Sequence, residues 1–249
     1  MALKGLNIDT PLEEYKIKGR SVWVKRDDLM GDGINLPPWG KIGAVYELVK
    51  KYVDPKKPLT HLSVDGSWTG WVLAAICEEL GIEFHVSYPD SKKISKEYLG
   101  LITEMYPNVH MNPIRPNMMQ IMYNSLRGQA KENGWQMLPY AFNHDFYKDY
   151  LSDRIQPYAH FSNLVVSSGS GVTLSGLVRG YYREELKEEA TFVQTVYSVY
   201  LNNLELNHEG KVLNQSYSIT RAAKYIRSIC DSKYDVVPDF EDWEMETFS

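Results

Sequence analysis

NLVVSSGSGVTLSGLVRG, residues 163–180, runs a β-branched segment into a turn of serine and glycine and then into a helical pattern. A turn of small residues between a buried strand and a helix lets backbone N–H groups approach an anion closely. The helix N-terminus adds a favourable dipole for the same anion. Ser168, Ser170 and Thr173 can add hydroxyl donors. The segment therefore reads as a phosphate cup, although glycine turns also serve tight strand-to-helix packing. It lacks the Gly-Lys-Ser/Thr ending of a Walker loop, and no acidic residue follows at the spacing of a dinucleotide site.

Upstream, VDGSWTG (64–70) repeats the layout. It follows the strand-like LTHL (59–62) and precedes the helical WVLAAICEELG (71–81), with a further strand in IEFHVSYP (82–89). Repeated strand, turn, helix and strand imply βαβ units and a parallel sheet covered by helices. Ligands of such sheets bind beyond the carboxyl ends of the strands, where both turns fall. Helical patterns are also expected over 94–105 and 118–133, and strands over 108–114 and 192–201. TRAAKYIRSIC (220–230) reads as a last helix. Toward the start, SVWVKR (21–26) suits a strand, with loop before it. Gly31, Gly33, Pro37, Pro38 and Gly40 break regular structure. From Lys41, apolar residues at Ile42, Val45, Leu48, Val49 and Val53 have helical spacing. NHDF (143–146) reads as loop.

The 249 residues are 43% hydrophobic and 24% charged, with net charge −5. That balance fits a folded protein and argues against wrapping of nucleic acid, which requires dense phosphate neutralisation. No apolar run is long enough to span a bilayer, and the first residues lack the apolar core of a secretory signal. Cys77 and Cys230 are expected as reduced thiols of a cytoplasmic protein. No metal site is expected.

PPWGKIGA (37–44) places Lys41 in a glycine-flanked loop at the start of a helix. The helix N-terminus and desolvation would both disfavour the ammonium form. A neutral amine is what imine chemistry requires, whereas a surface lysine would stay charged.

TPLEEY…GRSVWVKRDDLMGDG…PPWGKIGAVYELV resembles the opening of the fold-type II pyridoxal-phosphate (PLP) enzymes, the tryptophan synthase β superfamily. Cysteine synthases, threonine synthases, D-cysteine desulfhydrases and aminocyclopropane-carboxylate deaminases belong to it. The family's TPL, KRDDL and Schiff-base lysine correspond to Thr10-Pro11-Leu12, Lys25-Arg26-Asp27-Asp28-Leu29 and Lys41. VDGSWTGWVLAAICEELG is similar to the family's SGNTGxxLA segment, with Thr69, Gly70, Leu73, Ala74 and Gly81 in register. SSGSGVTLSGL is similar to its GxGGTxxG phosphate loop. The resemblance covers residues 10 to 200, with the pieces in the family's order.

The resemblance implies an α/β fold-type II enzyme with PLP in a cleft between two sheet-containing domains. The small domain would span 43–143, and the large one would combine 1–42 with 144–249. It implies cofactor contacts from Lys41, Trp68, Gly169, Ser170, Gly171, Val172 and Thr173. Substrate contacts would come from Gly66, Ser67, Thr69 and Gly70. Three departures stand out. Trp68 occupies the place of the Asn that hydrogen-bonds the cofactor's ring oxygen. Trp39 and Gly40 stand where the desulfhydrase branch has Asn. The chain ends early, which leaves Ser216, Ser218 and Thr220 as positional candidates for the pyridine nitrogen. The implied activity is a lyase or β/γ-elimination or replacement on a small amino-acid substrate, in a homodimer. An alternative is a PLP enzyme such as a decarboxylase acting on a bulky amine, for example an amino-acid-modified nucleotide or DNA base of a bacteriophage. A non-catalytic relative that binds PLP or phosphate is a third possibility.

Overall fold

The computed structural model describes residues 3–64, 67–90, 96–161, 163–167, 172–181 and 195–199. Two units divide the chain, Met1–Tyr140 and Ala141–Ser249.

The first unit is built on four parallel strands, β3 (Leu59–Leu62), β4 (Phe84–Pro89), β5 (Val109–Ile114) and β6 (Gln136–Met137), in the order β5-β4-β3-β6. The expected alternation appears as α1 (Ile42–Tyr52), α2 (Thr69–Leu80), α3 (Lys96–Met105) and α4 (Met119–Asn133). α1 buries Ile42, Val45, Leu48 and Val49, as its spacing requires. α2 is buried along most of its length, which fits a sequence with little polar surface between Gly70 and Cys77. It stops at Gly81, whose φ of 67° is readily available to glycine and whose N–H caps the carbonyls of Cys77 and Glu78. Leu62, Ile114, Met122, Tyr123 and Leu126 pack together beneath α4. Pro113 pairs with Tyr88 from an edge strand, a place that tolerates a missing donor.

Ahead of α1, β1 (Leu12–Ile17) and β2 (Arg20–Lys25) form an antiparallel hairpin. Its two-residue turn, Lys18-Gly19, has positive φ at both positions, matching the twist of a tight hairpin. The sequence reading gave β2 but took its partner for loop. LEEYKI escaped because the ribbon is largely exposed and shows no buried alternating face.

In the second unit, β7 (Asn163–Ser167) pairs parallel with β8 (Thr195–Val199). α5 (Asp145–Ile155) packs against α6 (Val172–Tyr181). A Cβ at Gly176 would lie 2.9 Å from the Lys148 carbonyl oxygen, and one at Gly180 2.1 Å from that of Ser152. Those two glycines therefore let the helices touch backbone to backbone. α5 begins inside the stretch read as loop. The Nδ1 of His144 accepts the N–H of Phe146 at 3.1 Å and caps the helix, a role seldom filled by histidine. Its buried face includes Lys148 and Ser152, which hid the helical period. Among the described residues, no helix is long and apolar enough to cross a membrane.

Candidate active site

Lys41 occupies the N-cap position of α1, and its carbonyl accepts the N–H of Val45 at 3.0 Å. Its side chain is partly buried, with Nζ 5.6 Å from the centroid of the Trp39 ring. No carboxylate pairs with it among the described residues, and burial pulls the ammonium's pKa below its ordinary value. Burial thus favours the neutral amine more than water would.

Two of the sequence motifs meet beside Gly40, the residue that precedes this lysine. Thr10 Oγ1 donates to Asp27 Oδ1 at 2.6 Å. The Lys25 ammonium donates to both the carbonyl and the hydroxyl of Thr10, and lies 3.6 Å from Asp27. The N–H of Arg26 reaches the Pro11 carbonyl at 2.9 Å. Asp27 in turn lies against Gly40, where a Cβ would approach its own Cβ to 2.8 Å. TPL and KRDDL thus brace the residue before Lys41.

The loop between Met30 and Lys41 is held from within and from outside. Asp32 Oδ1 accepts the N–H groups of Ile34, Asn35 and Leu36, and the Asn35 side chain donates to Oδ2. Burial opposes ionisation of Asp32, but these donors outweigh it and hold the carboxyl down at about 2. At Gly31 a Cβ would come within 1.9 Å of the Pro37 carbonyl oxygen, so the loop closes on itself there. The carbonyl of Asn35 accepts Trp71 Nε1–H from α2 and the hydroxyl of Tyr106, each at 3.1 Å. The sulfur of buried Met30 accepts the N–H of Gly43 at 3.1 Å, meeting one donor of the helix end. These contacts fix the lysine loop to the first turns of α1 and α2.

The turn before α2 sets out the expected substrate residues. Ser67 and Thr69 share a hydroxyl–hydroxyl bond of 2.6 Å, and Ser67 Oγ also accepts the Thr69 N–H at 3.2 Å. Gly70 lies where a Cβ would meet Ser63 Oγ at 2.9 Å, so close packing on β3 explains this glycine. Trp68 is 40% exposed and turns an edge toward Trp71, centroid to centroid 6.1 Å. In the second unit, Val172 and Thr173 open α6, and the Thr173 hydroxyl lies 3.2 Å from that of fully buried Tyr147. Burial raises the Tyr147 phenol, with the Thr173 bond opposing, so it stays protonated. Gly66, Gly169, Ser170, Gly171, Ser216, Ser218 and Thr220 lie outside the described residues.

The structure brings Lys41, Ser67, Trp68, Thr69 and Gly70 into one unit through the Asn35–Trp71 link. Asp32, Asn35, Trp71, Tyr106 and Tyr147 were not singled out from sequence. Only Asp32 carried a signal, an Asp-Gly at the head of a loop. Among the described residues, no group of three His, Cys, Asp or Glu is arranged to hold a metal ion.

Residues 150–248 match a domain of unknown function, DUF7677. A "glycyl-dTMP PLP-dependent decarboxylase" of Pseudomonas phage M6 is 23% identical over 182 residues, which is 70% of this chain and 64% of that protein. A mutant O-ureido-L-serine synthase with bound O-ureido-L-serine superposes with a TM-score of 0.57 at 16% identity, covering 84% of this chain and 64% of that one. Threonine deaminase isoform 2 of Solanum lycopersicum gives 0.56 at 12% identity, over 78% and 51%. A hydrogen sulfide-producing enzyme of Fusobacterium nucleatum gives 0.54 at 18%, over 72% and 59%. The chain has the fold of the fold-type II PLP enzymes. The fold-type II architecture accounts for the parallel sheet of the first unit and for the order of the motifs along the chain. This fold-type II chain spans less than two thirds of the length of each of these proteins.

Proposed function

We propose that this chain is a PLP-dependent lyase in which Lys41 holds the cofactor and acts on the amino-acid part of its substrate. The observation that carries the reading is the Lys41 amine, desolvated and without a counter-charge among the described residues, on a loop braced by Thr10, Lys25 and Asp27. A lysine so placed fits the covalent seat that PLP needs. Val172 and Thr173, at the head of α6, are proposed phosphate contacts together with Gly169, Ser170 and Gly171. The small domain of 43–143 and the large domain of 1–42 with 144–249 belong to the same reading.

When bound, PLP supplies an electron sink for the pair left at Cα as a bond breaks. The residues of the chain do the rest. With PLP held there, Lys41 would be the amine available to take a proton from the substrate Cα or return one to it. We propose that the Ser67 and Thr69 hydroxyls, with Gly66 and Gly70, bind the substrate carboxylate. Trp68 stands in sequence where the family carries Asn.

The finer reading favoured by the phage relative is decarboxylation of an amino acid carried on a nucleotide. Lys41 would then deliver the proton that replaces the departing carboxylate at Cα. The cofactor test is loading with PLP followed by borohydride. We expect a visible absorbance that borohydride bleaches, with the reduced pyridoxyl group mapped to Lys41 and lost in Lys41→Ala. A wild-type protein that remains colourless with PLP sinks the reading. Carbon dioxide release from glycyl-dTMP, compared with ammonia or sulfide release from free amino acids, separates the two substrate classes.

A further inference from the structure

We infer that Trp68 is a stacking platform for the base of a nucleotide substrate. This rests on the proposed reading that the substrate's amino acid is nucleotide-borne. Trp68 lies at the head of α2, three residues before Trp71, and stays 40% exposed although Thr69, Gly70 and the run from Val72 to Cys77 are buried. Its ring is oriented as well as exposed, because it meets Trp71 edge-on at 6.1 Å and interplanar angle 63°. Trp71 is fixed in turn by Nε1–H bonds to the Asn35 carbonyl at 3.1 Å and the Tyr106 hydroxyl at 3.3 Å. Ile34, the neighbour of Asn35 in the loop that carries Lys41, is 75% exposed. Two exposed apolar side chains therefore flank the contact between the lysine loop and α2. A planar heterocycle presents a π-face on which an indole can stack, and every nucleobase does so.

The probe is dTMP, with deoxyribose 5-phosphate as the control that lacks the base. Each is titrated by indole fluorescence against the PLP-loaded and the cofactor-free full chain. We expect dTMP to bind and deoxyribose 5-phosphate to bind far more weakly. Trp68→Ala should weaken dTMP by about 5- to 150-fold, the range of one base–aromatic stack, and Trp68→Phe should retain most of the affinity. Trp68→Ala should still load PLP by the borohydride assay. The inference is overturned if wild type does not bind dTMP, if the base makes no difference, or if Trp68→Ala binds dTMP as tightly as wild type. Joint loss of dTMP and PLP would also overturn it, assigning the ring to the cofactor. Because dTMP is also titrated without PLP, failure of Lys41 to take PLP counts against the parent reading alone.

Discussion

At Lys41, burial has a consequence that can be measured without substrate. The unfolded lysine keeps its proton to about pH 10.4, while the folded one releases it earlier. The unfolded state therefore binds more protons over that interval. Stability of the cofactor-free protein should rise as pH climbs from the folded value toward the unfolded one. Lys41→Met should flatten this rise and raise the melting temperature near neutrality, by about 2–4 °C for each kcal/mol of desolvation relieved. An unchanged or lower melting point would place the amine in water. Gly40→Ala makes a separate prediction, since the new Cβ would press on Asp27 at 2.8 Å and displace Lys41. PLP retention in dialysis should fall more than the urea midpoint does. Lys41 was legible because its residue type and its glycine neighbours both bear on its chemistry. The Asp27–Gly40 contact was not, because nothing in a one-dimensional pattern tells which residues a loop crosses.

Among the elements, β3 carries fully enclosed His61, whose imidazole burial pulls down to about 4. The unfolded histidine titrates near 6.5, so the folded state loses stability as pH falls from about 6.5 toward 4, by roughly 3 kcal/mol in total. Urea unfolding across this range should show an acid limb that His61→Gln reduces, and a limb of equal depth in the variant would assign it to other groups. The α5–α6 pair makes the second prediction at this scale. Gly180→Ala puts a methyl 2.1 Å from the Ser152 carbonyl, and overpacking of this kind costs about 1–3 kcal/mol. A urea midpoint equal to wild type would mean the helices can part freely. The elements that sequence revealed were those with one buried stripe, such as α1, or with apolar residues alternating along a strand, such as β4. β1 has no buried face and α5 buries polar side chains, so burial left no period to read in either.

For the molecule as a whole, the parallel sheet and the motif order were legible, because βαβ connections leave few topologies open. What sequence did not disclose is how the lysine loop is tied down. The tie is a triangle: Trp71 Nε1–H and the Tyr106 hydroxyl both donate to one main-chain oxygen, that of Asn35, and Trp71 also donates to Tyr106. This joint has built-in redundancy. The acceptor belongs to the backbone, so the side chain at position 35 can change without erasing it, and either donor can hold when the other is removed. Trp71→Phe and Tyr106→Phe should each be mild in PLP off-rate, whereas the double variant should shed PLP faster than the two effects combined. Tolerance of single lesions and abrupt failure under paired ones would make this corner of the molecule robust to drift one residue at a time.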